Sequence, residues 1–183
     1  GDAGIADAAE RADWLEVQRL VAAGVDVDTP QVDGTTALHW AAWHDHGDAA
    51  GQLVQKGADV AARNRYGVTP LALACQNGNA GLVTILLDAG ADANASLPGG
   101  ETALMTAART GRIGAVEALL QHGADVNATE RNGQTALMWG AANGHQDVVS
   151  RLVERGADIH VSLPSGFNAL CFAVREGHSE VVH

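Results

Sequence analysis

Residues 36–42 read Thr-Ala-Leu-His-Trp-Ala-Ala, and the phrase returns down the chain. It is Thr-Pro-Leu-Ala-Leu-Ala-Cys from Thr69, Thr-Ala-Leu-Met-Thr-Ala-Ala from Thr102, Thr-Ala-Leu-Met-Trp-Gly-Ala from Thr135 and Asn-Ala-Leu-Cys-Phe-Ala-Val from Asn168. The apolar anchors Ile5, Leu38, Leu71, Leu104, Leu137 and Leu170 fall 33 residues apart, and Gly24, Gly57, Gly90, Gly123 and Gly156 keep the same interval. A period of about 20–50 residues means a stack of small like units, each burying its apolar faces against its neighbours.

The residues around each anchor specify a helix pair. Thr36, Thr69, Thr102, Thr135 and Asn168 offer an oxygen to an orphan helix N–H, and Pro70 sits where its missing N–H costs nothing. Small residues such as Ala41, Ala74 and Ala107 let a short first helix approach its neighbours. Gly78, Gly111, Gly144 and Gly177 break the chain before a second, amphipathic helix of the pattern Leu82, Val83, Leu86, Leu87. Asp45 fills that breaking position in the second copy and Ala12 in the first. Glycine then stops the second helix, and the dipeptides ending at Gly34, Gly67, Gly100, Gly133 and Gly166 mark projecting turn tips. The unit boundaries fall near residues 1–30, 31–63, 64–96, 97–129, 130–162 and 163–183, read as one domain.

These phrases, each followed by Gly-Ala-Asp or a close variant, resemble the ankyrin repeat, whose pattern is Thr-Pro-Leu-His-x-Ala-Ala with Gly-Ala-Asp-x-Asn later in the unit. The resemblance covers essentially the whole chain. It implies an all-α fold: an ankyrin repeat solenoid of stacked helix-turn-helix units with projecting β-hairpin-like turns. Ala replaces Pro in four copies, and His39 is the one histidine kept at its place. The degenerate first copy, with Asp7 where later copies carry Trp40 or Trp139, reads as an N-terminal capping unit. The sixth copy reaches His183 inside its second helix, and the native chain is expected to continue. Gly1 reads as a cleavage product or a cloning scar.

The chain carries a net charge of −11. That argues against general nucleic-acid binding, which needs a basic surface. No apolar run approaches the ~20 residues of a membrane span. Arg outnumbers Lys ten to one, a mix that looks bacterial. Cytoplasmic and exported locations both fit, and the oligomeric state is open. Cys75 and Cys171 lie three units apart in first-helix positions and read as small buried thiols rather than a disulfide.

The sequence carries no phosphate loop, nucleophile elbow or Cys-x-x-Cys pair, so catalysis and cofactors are not expected. Metal binding is not expected either: His39 and His46 occupy scaffold positions, which leaves His44 over. Trp40, Trp139 and Phe172 read as packing between first helices, as do Met105 and Met138. Trp14 reads as packing the first helix pair.

The resemblance implies recognition on a concave face lined by turn tips and first helices. Transferred position by position, it gives Trp43 and His44; Arg65, Tyr66, Gln76 and Asn77; Glu101, Arg109 and Thr110; Arg131, Asn132, Gln134 and Asn143; and Phe167 and Arg175. These positions vary from copy to copy while the scaffold barely does. Arg65, Arg109, Arg131 and Arg175 supply one arginine per unit over four units, a ladder suited to an extended acidic peptide. The alternative is that they pair with Asp33, Glu101 and Glu176. The expected function is a non-catalytic module binding a protein or extended peptide. The alternatives are a regulatory or targeting domain of a larger enzyme or exported effector, and a structural assembly subunit.

Overall fold

A computed structural model describes residues 4–182. Gly1 and His183, on which the readings of the chain ends rest, lie outside the described residues. The described residues are helical, and no strand occurs among them; a single antiparallel bridge joins Ser96 and Thr102. By contact density the chain divides into two compact units, one running to Asp92 and the other starting at Ala93.

The first unit holds α1 (Ile5–Glu10), α2 (Trp14–Ala22), α3 (Ala37–Trp43), α4 (Gly47–Gln55), α5 (Pro70–Asn77) and α6 (Ala80–Asp88). The second holds α7 (Ala103–Arg109), α8 (Ile113–Gln121), α9 (Ala136–Ala142), α10 (Gln146–Glu154), α11 (Ala169–Glu176) and α12 (Ser179–Val182). In the first unit α1, α3 and α5 stack in one row, and α2, α4 and α6 in a second. In the second unit α7, α9 and α11 form the first row, and α8, α10 and α12 the other. Within each unit this is the stack of helix-turn-helix repeats that the sequence period implies.

Two features of the sequence drive the helices together. The small residues Ala37, Ala41, Ala42, Ala74, Ala107, Ala108 and Ala141 are fully or almost fully buried, so first helices meet at close range. The anchors Ile5, Leu38, Leu71, Leu104 and Leu137 are at most 2% exposed, whereas Leu170 is 51% exposed. α11 is the last first-row helix among the described residues, and its outer face is open. That geometry corrects one expectation: Cys75 is buried on α5, but Cys171 on α11 is half-exposed; both are free thiols.

The caps form as the sequence requires. Thr69, Thr102, Thr135 and Asn168 each accept an N–H from the third residue of their helix, at 3.0–3.3 Å. Thr36 differs because His39 follows it. The Thr36 N–H donates to His39 Nδ1 at 3.2 Å and Oγ1 lies 2.9 Å from the same nitrogen. His39 Nδ1 is therefore the acceptor, and Nε2–H donates to the Val68 carbonyl of the next repeat at 3.0 Å. Burial holds this imidazole below its ordinary pKa, partly offset by the Val68 carbonyl bond.

Neighbouring turns are tied backbone to backbone. The Arg65 N–H donates to the Asp33 carbonyl at 2.7 Å, and the Arg131 N–H to the Gly99 carbonyl at 2.9 Å. A Cβ on Gly34 would lie 3.2 Å from Asn64 Cα, so a side chain there would crowd this approach. On the opposite edge, Asp28 Oδ1 accepts from the Asp59 N–H. Asn94 and Asn127 each span to the next repeat, accepting an N–H and donating to a glycine carbonyl.

Candidate functional site

The turns and first helices place the expected recognition residues on exposed or half-exposed ground. In the first unit, Trp43 at the end of α3 is 51% exposed and Tyr66 at a turn tip is 61% exposed. Gln76 is exposed on α5. Arg65 carries its guanidinium 5.2 Å from the centre of the Tyr66 ring. The Asp33 carboxyl sits below its ordinary pKa, chiefly through the Thr35 N–H and side chain, with Arg65 adding a smaller electrostatic contribution.

His44 and Asn77 also have structural partners. His44 Nε2 lies 2.9 Å from the Glu10 carbonyl, so it bonds the end of α1 across the repeat junction. Asn77 Nδ2 donates to the Ala42 and Trp43 carbonyls in the same way. In the second unit His145 reaches the Arg109 carbonyl and His178 the Ala142 carbonyl. Each of these first helices thus has its C-terminal carbonyls bound by a side chain of the following repeat, where orphan acceptors need a partner. Sequence reading missed this because the side chain responsible sits at two different register positions, 44 and 77 against 145 and 178.

The remaining aromatics divide between surface and packing. Trp14 is half-buried and contacts the second repeat: its ring lies 4.6 Å from His46 and 5.9 Å from His44. Trp40 is half-buried, with its indole N–H donated to Gln31 Oε1 at 2.9 Å; Gln31 in turn donates to Asp7 and Glu10. Trp40 is therefore partly exposed as well as packed. Phe172, Met105 and Met138 are buried as expected. Among the described residues, no three of His, Cys, Asp and Glu gather into a metal-binding group.

In the second unit two of the expected arginines find carboxylates of their own. Arg109 pairs with Glu101 at 3.2 Å and lies 5.7 Å from the Trp139 ring centre. Arg175 pairs with Glu176 at 2.7 Å and lies over Phe172 and Phe167 at 5.1 and 5.8 Å. Arg131 is exposed at its turn tip, and no ion pair to it occurs among the described residues. Asn132 and Gln134 are shaped by Glu130, whose carboxylate accepts both of their backbone N–H groups. Thr110 and Asn143 bond carbonyls of their own helices. The Trp139 indole N–H is buried with no acceptor among the described residues.

In each unit the expected positions therefore carry exposed or half-exposed aromatics, guanidinium groups and short polar side chains. Comparison with known proteins identifies the repeat itself. The family profile described as "Ankyrin repeats (3 copies)" matches residues 6–96, 71–163 and 129–183. Ankyrin repeat domain-containing protein 40 of Mus musculus is 45% identical over 49 residues, 26% of this chain and 14% of that protein. Its Homo sapiens counterpart is 45% identical over the same length, 13% of that protein. The alignment thus spans about an eighth of those relatives. This chain belongs to the ankyrin-repeat family, whose repeats are in general protein–protein interaction modules without catalytic activity.

Proposed function

We propose that this chain is a non-catalytic binding module, six repeats acting as one array, which holds a protein partner on the concave face formed by turn tips and first helices. The observation that carries the reading is the exposure of Trp43, and of Tyr66 with Arg65 against its ring. Large aromatics and arginine supply most of the energy in protein interfaces, and a monomer gains nothing by leaving them in water. Short first helices and backbone-tied turns hold these groups in place, so little conformational entropy is lost when a partner lands.

An extended acidic partner is the narrower form of the proposal, and it rests on the arginines. Arg109 and Arg175 already face Glu101 and Glu176 across exposed pairs, and such pairs are worth little. A partner carboxylate could replace either glutamate at small cost, and Arg131 offers an open fork. Affinity capture from native extract tests the reading, comparing the unaltered chain with Trp43→Ala, Tyr66→Ala and Arg109→Ala. Loss of one captured protein in step with all three supports it; capture unchanged by all three overturns it. Glu substitution of Arg109 and Arg131 separates the acidic form: capture that survives it removes the acidic partner but leaves the binding face.

A further inference from the structure

The first unit has a slot of about 380 Å³ lined by Trp40, Trp43, Leu73, Thr35, His39 and Asp33. We infer that this slot takes the side-chain ammonium of a lysine presented by a partner protein, with the alkyl chain along Trp40, Trp43 and Leu73 and the charge at Asp33. The inference rests on the proposed binding face and names what one part of it recognises.

Three observations carry it. The lining pairs two indole rings with a carboxylate, and an ammonium is drawn both to the face of a tryptophan and to a negative charge. Thr35 occupies only part of the acceptor capacity of Asp33, and a carboxylate has room for about four hydrogen bonds. No arginine or lysine lines the slot, and burial favours the neutral form of His39. Arg65 lines a separate cavity that shares Asp33 as a wall, and its guanidinium already lies against Tyr66. The wider field has the same sign. Residues 1–92 hold thirteen Asp and Glu against five Lys and Arg, while residues 93–183 hold nine against six. A cation approaching the first unit is attracted before it makes contact.

The test uses the whole chain, labelled with nitrogen-15, and reads the indole N–H signals of the four tryptophans. The probes are three short Gly/Ser peptides carrying one central lysine, norleucine or glutamate, with n-butylamine as the free amine. The lysine peptide is expected to shift Trp40 and Trp43 and leave Trp14 and Trp139 in place. The norleucine peptide, which keeps the alkyl chain and loses the charge, is expected to bind about tenfold more weakly or less. Asp33→Asn is expected to remove the difference between the two, since its side-chain oxygen can still accept from Thr35 and the turn is retained. Far-UV circular dichroism checks that the variant is folded. Equal binding of lysine and norleucine, an Asp33→Asn variant that behaves like the parent, or no shift with the lysine peptide each overturns the inference. Butylamine binding as well as the lysine peptide overturns the assignment to a protein segment. Partner capture that depends on Trp43 and Tyr66 but not on Asp33 would leave the binding face standing and remove the lysine.

Discussion

Replacing Gly111 with alanine is expected to unlock a repeat junction, and its cost can be worked out from the structure. Gly111 has φ +70°, and a Cβ there would lie 2.6 Å from Nδ1 and Cε1 of His145. The left-handed backbone alone costs an alanine about 1–2 kcal/mol, offset by about 0.4–1 kcal/mol from the stiffer unfolded chain. The His145 ring must also swing away, which sacrifices its bond to the Arg109 carbonyl and adds about 1 kcal/mol. Gly123 is the control: φ is +82° and a Cβ would meet nothing within 4 Å. Gly111→Ala should therefore be less stable than Gly123→Ala by about 1 kcal/mol in urea unfolding.

The molecule already contains the solution to this clash. Ala12 holds the equivalent position at φ +56°. There the equivalent ring, His46, is turned onto its own helix, where Nδ1 accepts the Ala49 N–H, and His44 makes the bond to the Glu10 carbonyl instead. Asn143 occupies the position of His44 in the later repeat. Asn143→His should thus recover part of the loss in a Gly111→Ala background and do little by itself. Equal destabilisation at Gly111 and Gly123, or an Asn143→His effect that merely adds, would refute this reasoning.

Other perturbations bear on other parts of the structure. His39 is held below its ordinary pKa, so on acidification the unfolded chain takes up its proton first; stability from this residue is complete well above about pH 6.5 and falls as pH drops through and below it. Urea midpoints measured across that range should decline, and less steeply in His39→Gln. Desolvation pushes the Cys75 thiol up to about 12, so a thiol reagent at pH 8 should modify the half-exposed Cys171 first and Cys75 after unfolding. Leu137→Ala should cost about 2–5 kcal/mol, whereas Leu170→Ala, at an anchor half open to water, should cost under about half of that. Trp139→Phe should be neutral or stabilising because it removes an orphaned donor, while Trp40→Phe gives up the bond to Gln31 at a cost of about 1 kcal/mol.

The sequence revealed the parts of the fold that repeat. Anchor leucines, threonine caps and turn glycines are set by backbone geometry that each unit must satisfy alone, so a fixed interval exposes them. The junctions are less legible, because a carbonyl at the end of a first helix accepts equally well from His44, Asn77 or His145. Their register differs, so variation at positions 44 and 77 carried a structural duty beside any role in recognition. The arginines illustrate the same difficulty from the other side. Counting gave one arginine to each of four successive units, Arg65, Arg109, Arg131 and Arg175, at two register positions, but whether each meets Glu101, Glu176 or water depends on rotamers that no spacing encodes. Trp40 was legible as packing but not as one wall of a slot, since that depends on the size of Leu73 one repeat later.

A cross-linking experiment addresses the binding face most directly. A photoreactive side chain placed singly at Trp43, Tyr66 or Leu15 samples two recognition positions and an 80% exposed position on α2, all in the first unit. Irradiation in native extract should join one partner protein to positions 43 and 66 and leave position 15 unreacted. A partner captured through position 15, with nothing at 43 or 66, would contradict the assignment of recognition to the turns and first helices.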